Sequence, residues 1–484
     1  MEGGLKDLLD KALNQARSRG ATYADIRIVE TVSQSLAVKN GKLEKISFKF
    51  DSGLGIRVVA DGSWGFASSN IITPSEIEKT ASTAVAIAKA SATVQNKQVK
   101  LTPLDAANSV YKTSVEIDPF DVSDERKLEL LFGADEKLRQ DNRVVVASSS
   151  LFFLKKKTYF SSSEGSYISQ EIIESGGGIS ATATDGNEIE IRSYPNSMGG
   201  QAQCRGYESI LDMDLTGNAD RVRDEAVALL SAEICPTKET SLLLDSSQLA
   251  LQVHESIGHP VELDRILGME ASFAGTSFLS TSDVGVLKYG SPIVNVTADS
   301  TIPGALGTFG FDDEGVPAQR SEIITNGVLT DLLTSRETAE VLGRKSNGTM
   351  RADGWNRTPI IRMTNINLLP GKWGLDDLIA DTDDGIYMET NKSWSIDDKR
   401  LNFQFATEIA WEISGGKRKK MYRSPNYTGI TPEFWSSCDA ICNEEHWTVW
   451  GTPNCGKGEP MQVAHVAHGT SPARFLKVKV GIGR

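Results

Sequence analysis

The sequence predicts an α+β protein: an N-terminal domain of antiparallel sheet with flanking helices, then a mostly-β, barrel-like C-terminal domain. Three observations lead to this fold class. Helical and alternating strand patterns occur together in the first half of the chain. The second half reads mainly as short alternating runs between glycines, and one helix near its start carries a histidine pair. The length of 484 residues exceeds one ordinary core, so we predict two domains, 1–236 and 237–484.

The helices of the first domain are predicted from amphipathic spacing and end signals. Leucine and alanine over residues 5–16 follow one buried helix face, and Gly20 is placed to end that helix. Residues 73–76 (TPSE) read as a helix start, with a capping threonine and proline at the first helical position. Further helices are expected around residues 125–139 and 221–232.

The strands of the first domain are predicted from alternating apolar and polar residues. Three strands and a following hairpin are expected at residues 26–28, 36–38, 46–50, 56–59 and 64–66. Asn-Gly at 40–41 and Asp-Gly at 61–62 supply tight turns. The segment from 144 to about 205 is also rich in strand patterns, which completes an antiparallel sheet.

The second domain is predicted to follow a linker at residues 236–240. An apolar strand at 242–244 comes first, and a helix begins at about Ser247. Beyond it, short alternating runs such as 360–363 and 476–480 recur, and an antiparallel barrel or curled sheet would bury them.

Charge and cysteine usage limit the class of protein. The net charge of −13 argues against nucleic acid and anionic membrane as main partners. No apolar run has the length of a membrane span, and the N-terminus lacks the pattern of a signal peptide. The five cysteines are thinly spread and odd in number, which is typical of a reducing compartment. We therefore expect a cytoplasmic protein.

The predicted helix of the second domain carries the motif His254-Glu255-Ser256-Ile257-Gly258-His259-Pro260. Five residues along an undistorted α-helix separate two side chains by about 140°, so the two imidazoles would not converge. Gly258 and Pro260 favour a break in the helix. We expect His254 on the last helical turn and His259 on the bend after it, with both rings at one metal ion. The alternative is a helix C-terminus whose two histidines are hydrogen-bonded and bind no metal. The chain contains five histidines in 484 residues, so two of them within one short motif favour the metal site.

Zinc chemistry gives each residue of the motif a role. Two neutral imidazoles and a third protein ligand hold Zn²⁺ and leave a position open for water. The carboxylate of Glu255 is the candidate general base that takes the proton of that water. The alternative for Glu255 is a solvent-facing glutamate on a helix.

The third ligand is left open by the residues alone. Glu262 and Asp264 follow His259 by three and five residues, so either could reach the metal. Cys455 lies in Asn454-Cys455-Gly456-Lys457-Gly458, which reads as a tight turn with small neighbours.

Four further histidines and cysteines beside Cys442 are candidates for a site: His446, His465, His468 and Cys438. His465 and His468 follow Cys455 by ten and thirteen residues and could line a cavity around the metal. Cys438, Cys442 and His446 recur every four residues, but no fourth ligand is in register and we do not predict a second zinc site.

Six segments are spread along nearly the whole chain: the histidine motif and residues 55–59, 64–66, 312–317, 362–365 and 454–458. In their order along the chain they resemble the TldD branch of the TldD/PmbA metallopeptidase family. The resemblance implies a zinc site in a cavity of the C-terminal domain, with Cys455 as the third ligand. It also implies a PmbA/TldE-like partner subunit, in a heterodimer or larger assembly. The PmbA/TldE-like branch lacks the histidine pair, which this chain has.

The sequence and the resemblance together predict a zinc metallopeptidase that hydrolyses peptides or unfolded polypeptide segments. Two other classes stay open. One is a metal-binding scaffold subunit without turnover. The other is a 2-His-1-carboxylate iron oxygenase in which Glu262 completes the ligand set.

Overall fold

The computed structural model describes residues 3–95, 97–197, 199–272 and 275–481. Helices account for 23% of the residues and strands for 42%, which confirms the α+β class. Within the described residues, none of the helices combines the length and the hydrophobicity that a transmembrane helix requires.

Helices and strands of widely different lengths are interspersed along the chain. The helices are α1 (Gly3–Ser18), α2 (Pro74–Ala92), α3 (Asp124–Leu138), α4 (Glu208–Met213), α5 (Leu215–Leu229), α6 (Ser246–Val253), α7 (Leu263–Ile266), α8 (Leu375–Ala380) and α9 (Thr431–Ser436). The strands of the N-terminal half are β1 (Tyr23–Lys39), β2 (Lys42–Ala60), β3 (Ser63–Ser69), β4 (Asn108–Lys112), β5 (Val144–Ser162), β6 (Tyr167–Thr184), β7 (Ile189–Tyr194), β8 (Gln201–Gln203) and β9 (Glu233–Ile234).

The C-terminal half contains most of the shorter strands. They are β10 (Lys238–Leu244), β11 (Val296–Asp299), β12 (Arg320–Thr325), β13 (Val328–Leu329), β14 (Met350–Arg351), β15 (Ile360–Ile361), β16 (Ile366–Leu368), β17 (Asp384–Ile396), β18 (Asn402–Ser414), β19 (Arg418–Arg423), β20 (Asn426–Ile430), β21 (Cys438–Ile441), β22 (Thr448–Lys457), β23 (Gln462–Thr470) and β24 (Ala473–Val480). Single helical turns of other types lie at His254–Gly258 (π) and at Thr281–Asp283, Thr338–Leu342 and Glu444–His446 (3₁₀).

The N-terminal sheet has the order β3-β2-β1-β5-β6-β4, and β7 and β8 also pair with β6. Our expectation of three separate strands before residue 51 was wrong. Residues 26–28 and 36–38 both belong to β1, which pairs along its length with β2 on one side and with β5 on the other. The polar residues between the two apolar runs stay in the strand because both neighbours continue to satisfy its backbone.

Two pairs of helices cover one face of this sheet. Helices α1 and α2 pack on Ile26 and Ile28 of β1, while α3 and α5 pack on Leu36 and Val38. All four side chains have even numbers, and side chains two apart in a strand share a face. Helix α2 begins as predicted, since Thr73 accepts a hydrogen bond from the backbone N–H of Glu76.

The C-terminal half contains the predicted barrel. Its five strands follow the order β17-β10-β24-β20-β18, and the barrel is closed because β18 pairs with β17. The pairing of β10 with β17 is parallel, and the other pairings are antiparallel. The expected linker at 236–240 was partly wrong, because β10 already begins at Lys238 and is hydrogen-bonded on both sides. Helix α6 follows β10 directly, and Leu249 and Val253 anchor it in the C-terminal core.

Candidate metal centre

The histidine motif adopts a π turn. Helix α6 ends at Val253, and the backbone N–H of His259 donates to the carbonyl of His254 over 3.1 Å, five residues back. The expected bend at His259 was therefore wrong: this residue has φ −67° and ψ −42°, a helical conformation. Proline at 260 disfavours that conformation in the preceding residue without forbidding it. The wider turn brings the rings of His254 and His259 together, with centroids 4.8 Å apart.

Packing around Ser256 and Gly258 stabilises the π turn. Tyr289 donates its hydroxyl hydrogen to the carbonyl of Ser256, and the indole N–H of Trp435 donates to the Ser256 hydroxyl over 2.9 Å. A Cβ atom added at Gly258 would lie 2.0 Å from the sulfur of Met363. Glycine at this position therefore permits the close approach of the turn to Met363.

Three potential ligand atoms converge beside the turn. Donor atoms of His254, His259 and Cys455 all lie within 4.8 Å of one another, and each residue is only 4% exposed. The sulfur of Cys455 is 3.7 Å from Nε2 of His259. Cys455 is part of β22, just after a register shift in its pairing with β23, so the expected tight turn around it was wrong.

The far side of the His259 ring is held by a buried charged network. Its Nδ1–H donates to the carboxylate of Glu262 over 3.0 Å. Lys457 lies 3.4 Å from the same carboxylate oxygen and donates to Asp264 over 2.7 Å, while Arg265 approaches Glu262 to 3.5 Å. Glu262 and Asp264, the two alternative ligands, are thus bonded to His259 and Lys457 and lie outside the three-residue cluster.

The far side of the His254 ring faces another histidine. Its Nδ1 is 2.7 Å from Nε2 of His468, whose own Nδ1 is 3.1 Å from the carbonyl oxygen of Ile366. His465, the other histidine considered for the cavity, is bonded to Glu174 of the N-terminal sheet. Only His468 therefore contacts the centre.

Glu255 lies next to His254 and is paired with an arginine. The guanidinium of Arg400 donates to the Glu255 carboxylate, which is 5% exposed as a residue. Arg400 lies in the turn between β17 and β18 and has a left-handed backbone with φ 63°. Such a conformation is uncommon for a residue with a Cβ, and the surrounding structure must enforce it. Here Asp397 caps the turn by accepting from the N–H of Leu401 over 2.8 Å.

The protonation states favoured in the cluster suit a metal ion. Burial lowers the pKa of both His254 and His259, which favours the neutral rings that bind metals. Burial alone would raise the pKa of the Cys455 thiol, but the nearby His259 ring and the Arg362 guanidinium outweigh it and the pKa is lowered. Two neutral imidazoles and an easily ionised thiol form a donor set that fits zinc.

The charges around Glu262 and His468 act in different ways. Burial opposes ionisation of Glu262, yet Lys457 and His259 hold its pKa well below the usual value. For His468, burial and the neighbouring His254 hold the pKa well below the usual value. Glu262 is therefore ionised and His468 is neutral.

Other candidates from the sequence do not form a metal site. Cys438 is in β21 and His446 in a 3₁₀ turn, so the four-residue recurrence of Cys438, Cys442 and His446 does not follow one face of a helix. No second group of three ligand-type side chains within reach of one ion is found in the described ranges.

Sequence reasoning missed two residues of the centre. Lys457 is two residues after Cys455 on the same strand, so the alternation of side chains already placed both on one face. Arg400 gave no local signal, because its partner Glu255 is 145 residues away in the chain.

Comparison with known proteins gives the family. Models of PmbA/TldA metallopeptidase domain 1, of the central domain and of the C-terminal domain match residues 24–88, 117–230 and 237–481. The chain belongs to the PmbA/TldD metallopeptidase family. The C-terminal family domain contains the whole His254, His259 and Cys455 cluster.

Relatives of this PmbA/TldD family member span nearly its full length. A metalloprotease of Methanocaldococcus jannaschii is 32% identical and covers 90% of this chain and 92% of its own. A zinc metalloprotease TldD homolog of Saccharolobus solfataricus is 22% identical and covers 97% and 99%. The crystal structure of TldE from Thermococcus kodakarensis has the same fold, with a TM-score of 0.75, 17% identity and coverage of 98% and 99%.

Proposed function

We propose that this protein is a zinc-dependent metallopeptidase of the TldD branch that hydrolyses peptides or unfolded polypeptide segments. The observation that carries the proposal is the convergence of donor atoms of His254, His259 and Cys455 within 4.8 Å, with Glu255 next to His254 in the sequence. The names of the relatives support it, since they are metalloproteases and one is a zinc metalloprotease. The division into domains 1–236 and 237–484 remains part of the proposal.

The residues of the centre divide the work of hydrolysis. His254, His259 and Cys455 would hold the ion, which when bound supplies a Lewis acid that polarises a carbonyl and makes water more acidic. Glu255 accepts the proton of the attacking water on its carboxylate and passes it to the nitrogen of the leaving amine. Arg400 donates to the same carboxylate and fixes its orientation.

The burial of the site supports an extended substrate. The three proposed ligands and Glu255 are each at most 5% exposed, so the surface of a folded protein cannot reach them. An extended peptide is thin enough to enter, and hydrogen bonds to a strand edge can hold it with broad sequence tolerance. Membership of the PmbA/TldD family supports a PmbA/TldE-like partner subunit as part of this proposal.

The position of Glu262 argues against the oxygenase alternative. Its carboxylate is bonded to Nδ1 of His259, whereas Cys455 approaches Nε2 on the opposite side of the ring. Glu262 therefore supports His259 and is not directed at the cluster. A metal-binding scaffold would have the same metal centre, so only an assay for peptide cleavage distinguishes it from a peptidase.

A peptide library tests the proposal. The zinc-loaded chain, with and without a PmbA/TldE-like subunit from the same source, is incubated with defined peptides and the products are identified by mass spectrometry. About one zinc per chain is expected, because the described residues offer one ligand set. Glu255→Gln should keep the zinc and lose turnover by about 100-fold or more, since an amide cannot accept the proton.

The control is Glu445→Gln, which changes an exposed glutamate outside the site and should leave the rate unchanged. Retention of most activity by Glu255→Gln would remove that residue as general base. A protein that binds iron and consumes oxygen, or binds zinc and cleaves nothing in either assembly, would contradict the peptidase. Equal cleavage of a stable folded protein and its unfolded form would contradict the extended substrate.

A further inference from the structure

His468 is a fully buried histidine whose two ring nitrogens both face polar groups. It lies in β23, with Nε2 2.7 Å from Nδ1 of His254 and Nδ1 3.1 Å from the carbonyl oxygen of Ile366. The rings of His254 and His468 are nearly perpendicular, at 83°, with centroids 4.8 Å apart. Because both nitrogens are engaged, His468 has no donor atom left for an ion.

The carbonyl of Ile366 determines where the hydrogens lie. A carbonyl oxygen can only accept, so Nδ1 of His468 carries the hydrogen. The neutral ring then has a lone pair on Nε2, and this lone pair accepts the Nδ1–H of His254. The hydrogen of His254 is thereby held on Nδ1, and its Nε2 is left with a free lone pair.

We propose that His468 is the positioning residue that holds His254 in the tautomer able to bind a metal through Nε2. The inference rests on the proposed metal centre, and it concerns a residue that contacts neither the ion nor the substrate. Ligand histidines commonly donate their second N–H to a fixed acceptor, and the loss of that acceptor weakens metal binding. Here the acceptor is a neutral ring, which a backbone carbonyl of β16 orients in turn.

Zinc affinity of two variants tests this role. His468→Leu fills the space but leaves the Nδ1–H of His254 without an acceptor, and zinc affinity should fall about 10- to 100-fold. His468→Gln offers an amide oxygen near the position of Nε2 and should retain most of the affinity. His446→Leu removes a histidine whose Nε2 accepts from Leu375 outside the centre, and should not change zinc affinity. Affinities are measured by competition with a chromophoric chelator.

The tautomer is read directly by nitrogen NMR. Two-bond ¹H–¹⁵N spectra of the metal-free protein, with ¹⁵N-labelled histidine, contain signals from five histidines that single variants assign. We expect His254 and His468 both to be protonated at Nδ1, and His254 to become a tautomer mixture in His468→Leu. A hydrogen on Nε2 of His254 in the wild type would overturn the proposal.

The remaining outcomes are also decisive. Wild-type zinc affinity in a folded His468→Leu, or equal losses in the leucine and glutamine variants, would assign His468 to packing alone. If His468→Leu does not fold, the wild-type spectrum and the glutamine variant give the answer. If the wild type binds no zinc, the proposed function fails, while the spectrum of the metal-free protein still tests the hydrogen positions.

Discussion

His254 and His259 are both held at Nδ1, but the two rings have opposite kinds of support. Behind His259 lies the ionised Glu262, within reach of Lys457 and Arg265. Behind His254 lies the neutral ring of His468. Both supports depend on one hairpin, since Lys457 ends β22 and His468 is in β23.

This difference predicts which properties a substitution on each side changes: folding stability, zinc affinity or both. The removal of one member of a buried set of charges leaves its partners uncompensated in a poorly solvated interior, which is strongly destabilising. The loss of a neutral acceptor removes one hydrogen bond and leaves one unsatisfied donor, a smaller penalty. Substitutions on the Glu262 side should therefore lower both the stability of the fold and the affinity for zinc. Substitutions on the His468 side should lower mainly the affinity for zinc.

The largest effect is expected at Cys455, which lies on the hairpin shared by both sides. Cys455→Ser should weaken zinc binding by more than the roughly 10- to 100-fold typical of supporting residues, because a ligand itself is lost. In the wild type the thiol should resist alkylation while zinc is bound and react after chelation. Cys235→Ser, at a buried cysteine outside the cluster, is the control. Full zinc binding and activity in Cys455→Ser would reopen Glu262 as the third ligand.

The second effect concerns the charged side. Lys457→Met leaves the carboxylates of Glu262 and Asp264 without their buried ammonium partner, and the free energy of unfolding should fall by about 3–5 kcal/mol. Urea unfolding of the metal-free protein measures it. The exposed strand residue Lys479 offers a matched control, since Lys479→Met should change stability by less than about 0.5 kcal/mol. Similar effects for the two substitutions would remove the contrast between the two sides.

The third effect separates charge from hydrogen bonding behind His259. Glu262→Gln keeps an acceptor but loses the negative charge, and zinc affinity should fall about 10- to 100-fold. The pKa of Glu262 is depressed in the folded protein, so its contribution to stability is present above its unfolded value near 4.5 and is lost as the pH falls. In acid unfolding of the metal-free protein, Glu262→Gln should lack the loss of stability that protonation of Glu262 causes in the wild type. An acid transition identical to that of the wild type would contradict this role of the charge.

The smallest effect is expected at the π turn between the two sides. Gly258→Ala would bring a Cβ to 2.0 Å from the sulfur of Met363, and relaxation of this flexible side chain should limit the loss of stability to about 1 kcal/mol. The backbone of Gly258 is not left-handed, so the loss comes from packing. Met363→Ala in the same chain should make the alanine at 258 nearly neutral in a double-mutant cycle. Additive losses would contradict this packing.

Much of the fold could be predicted because it follows from local periodicity. The five expected helices, the strand-rich segments and the barrel-like C-terminal half are present, whereas the short helices α4, α7, α8 and α9 were not predicted. The lengths of the strands could not be predicted. In β2, residues 42–51 are mostly exposed and residues 53–60 are buried, so one strand looks like two in a pattern that tracks burial. Its continuity comes from pairing with β1, a non-local property.

The site was predictable only where its residues are close in sequence. The motif placed His254, Glu255 and His259 together, and the family resemblance was needed to choose Cys455. The bonding of His254 to His468 joins residues 214 apart, and no local pattern signals such a contact. The form of the turn was missed because partners from other segments, such as Tyr289, stabilise it.

The π turn changes how the spacing of a metal motif should be counted. In an α-helix the backbone hydrogen bond joins residues four apart, which is also the separation of the two histidines in the better known zinc-peptidase motif. Here the hydrogen bond joins His254 directly to His259, five apart. In both arrangements the histidines occupy the two ends of a single hydrogen-bonded turn. The longer motif is thus equivalent to the shorter one with one residue inserted, and the hydrogen-bond ladder, rather than residue number, is the coordinate that the two share.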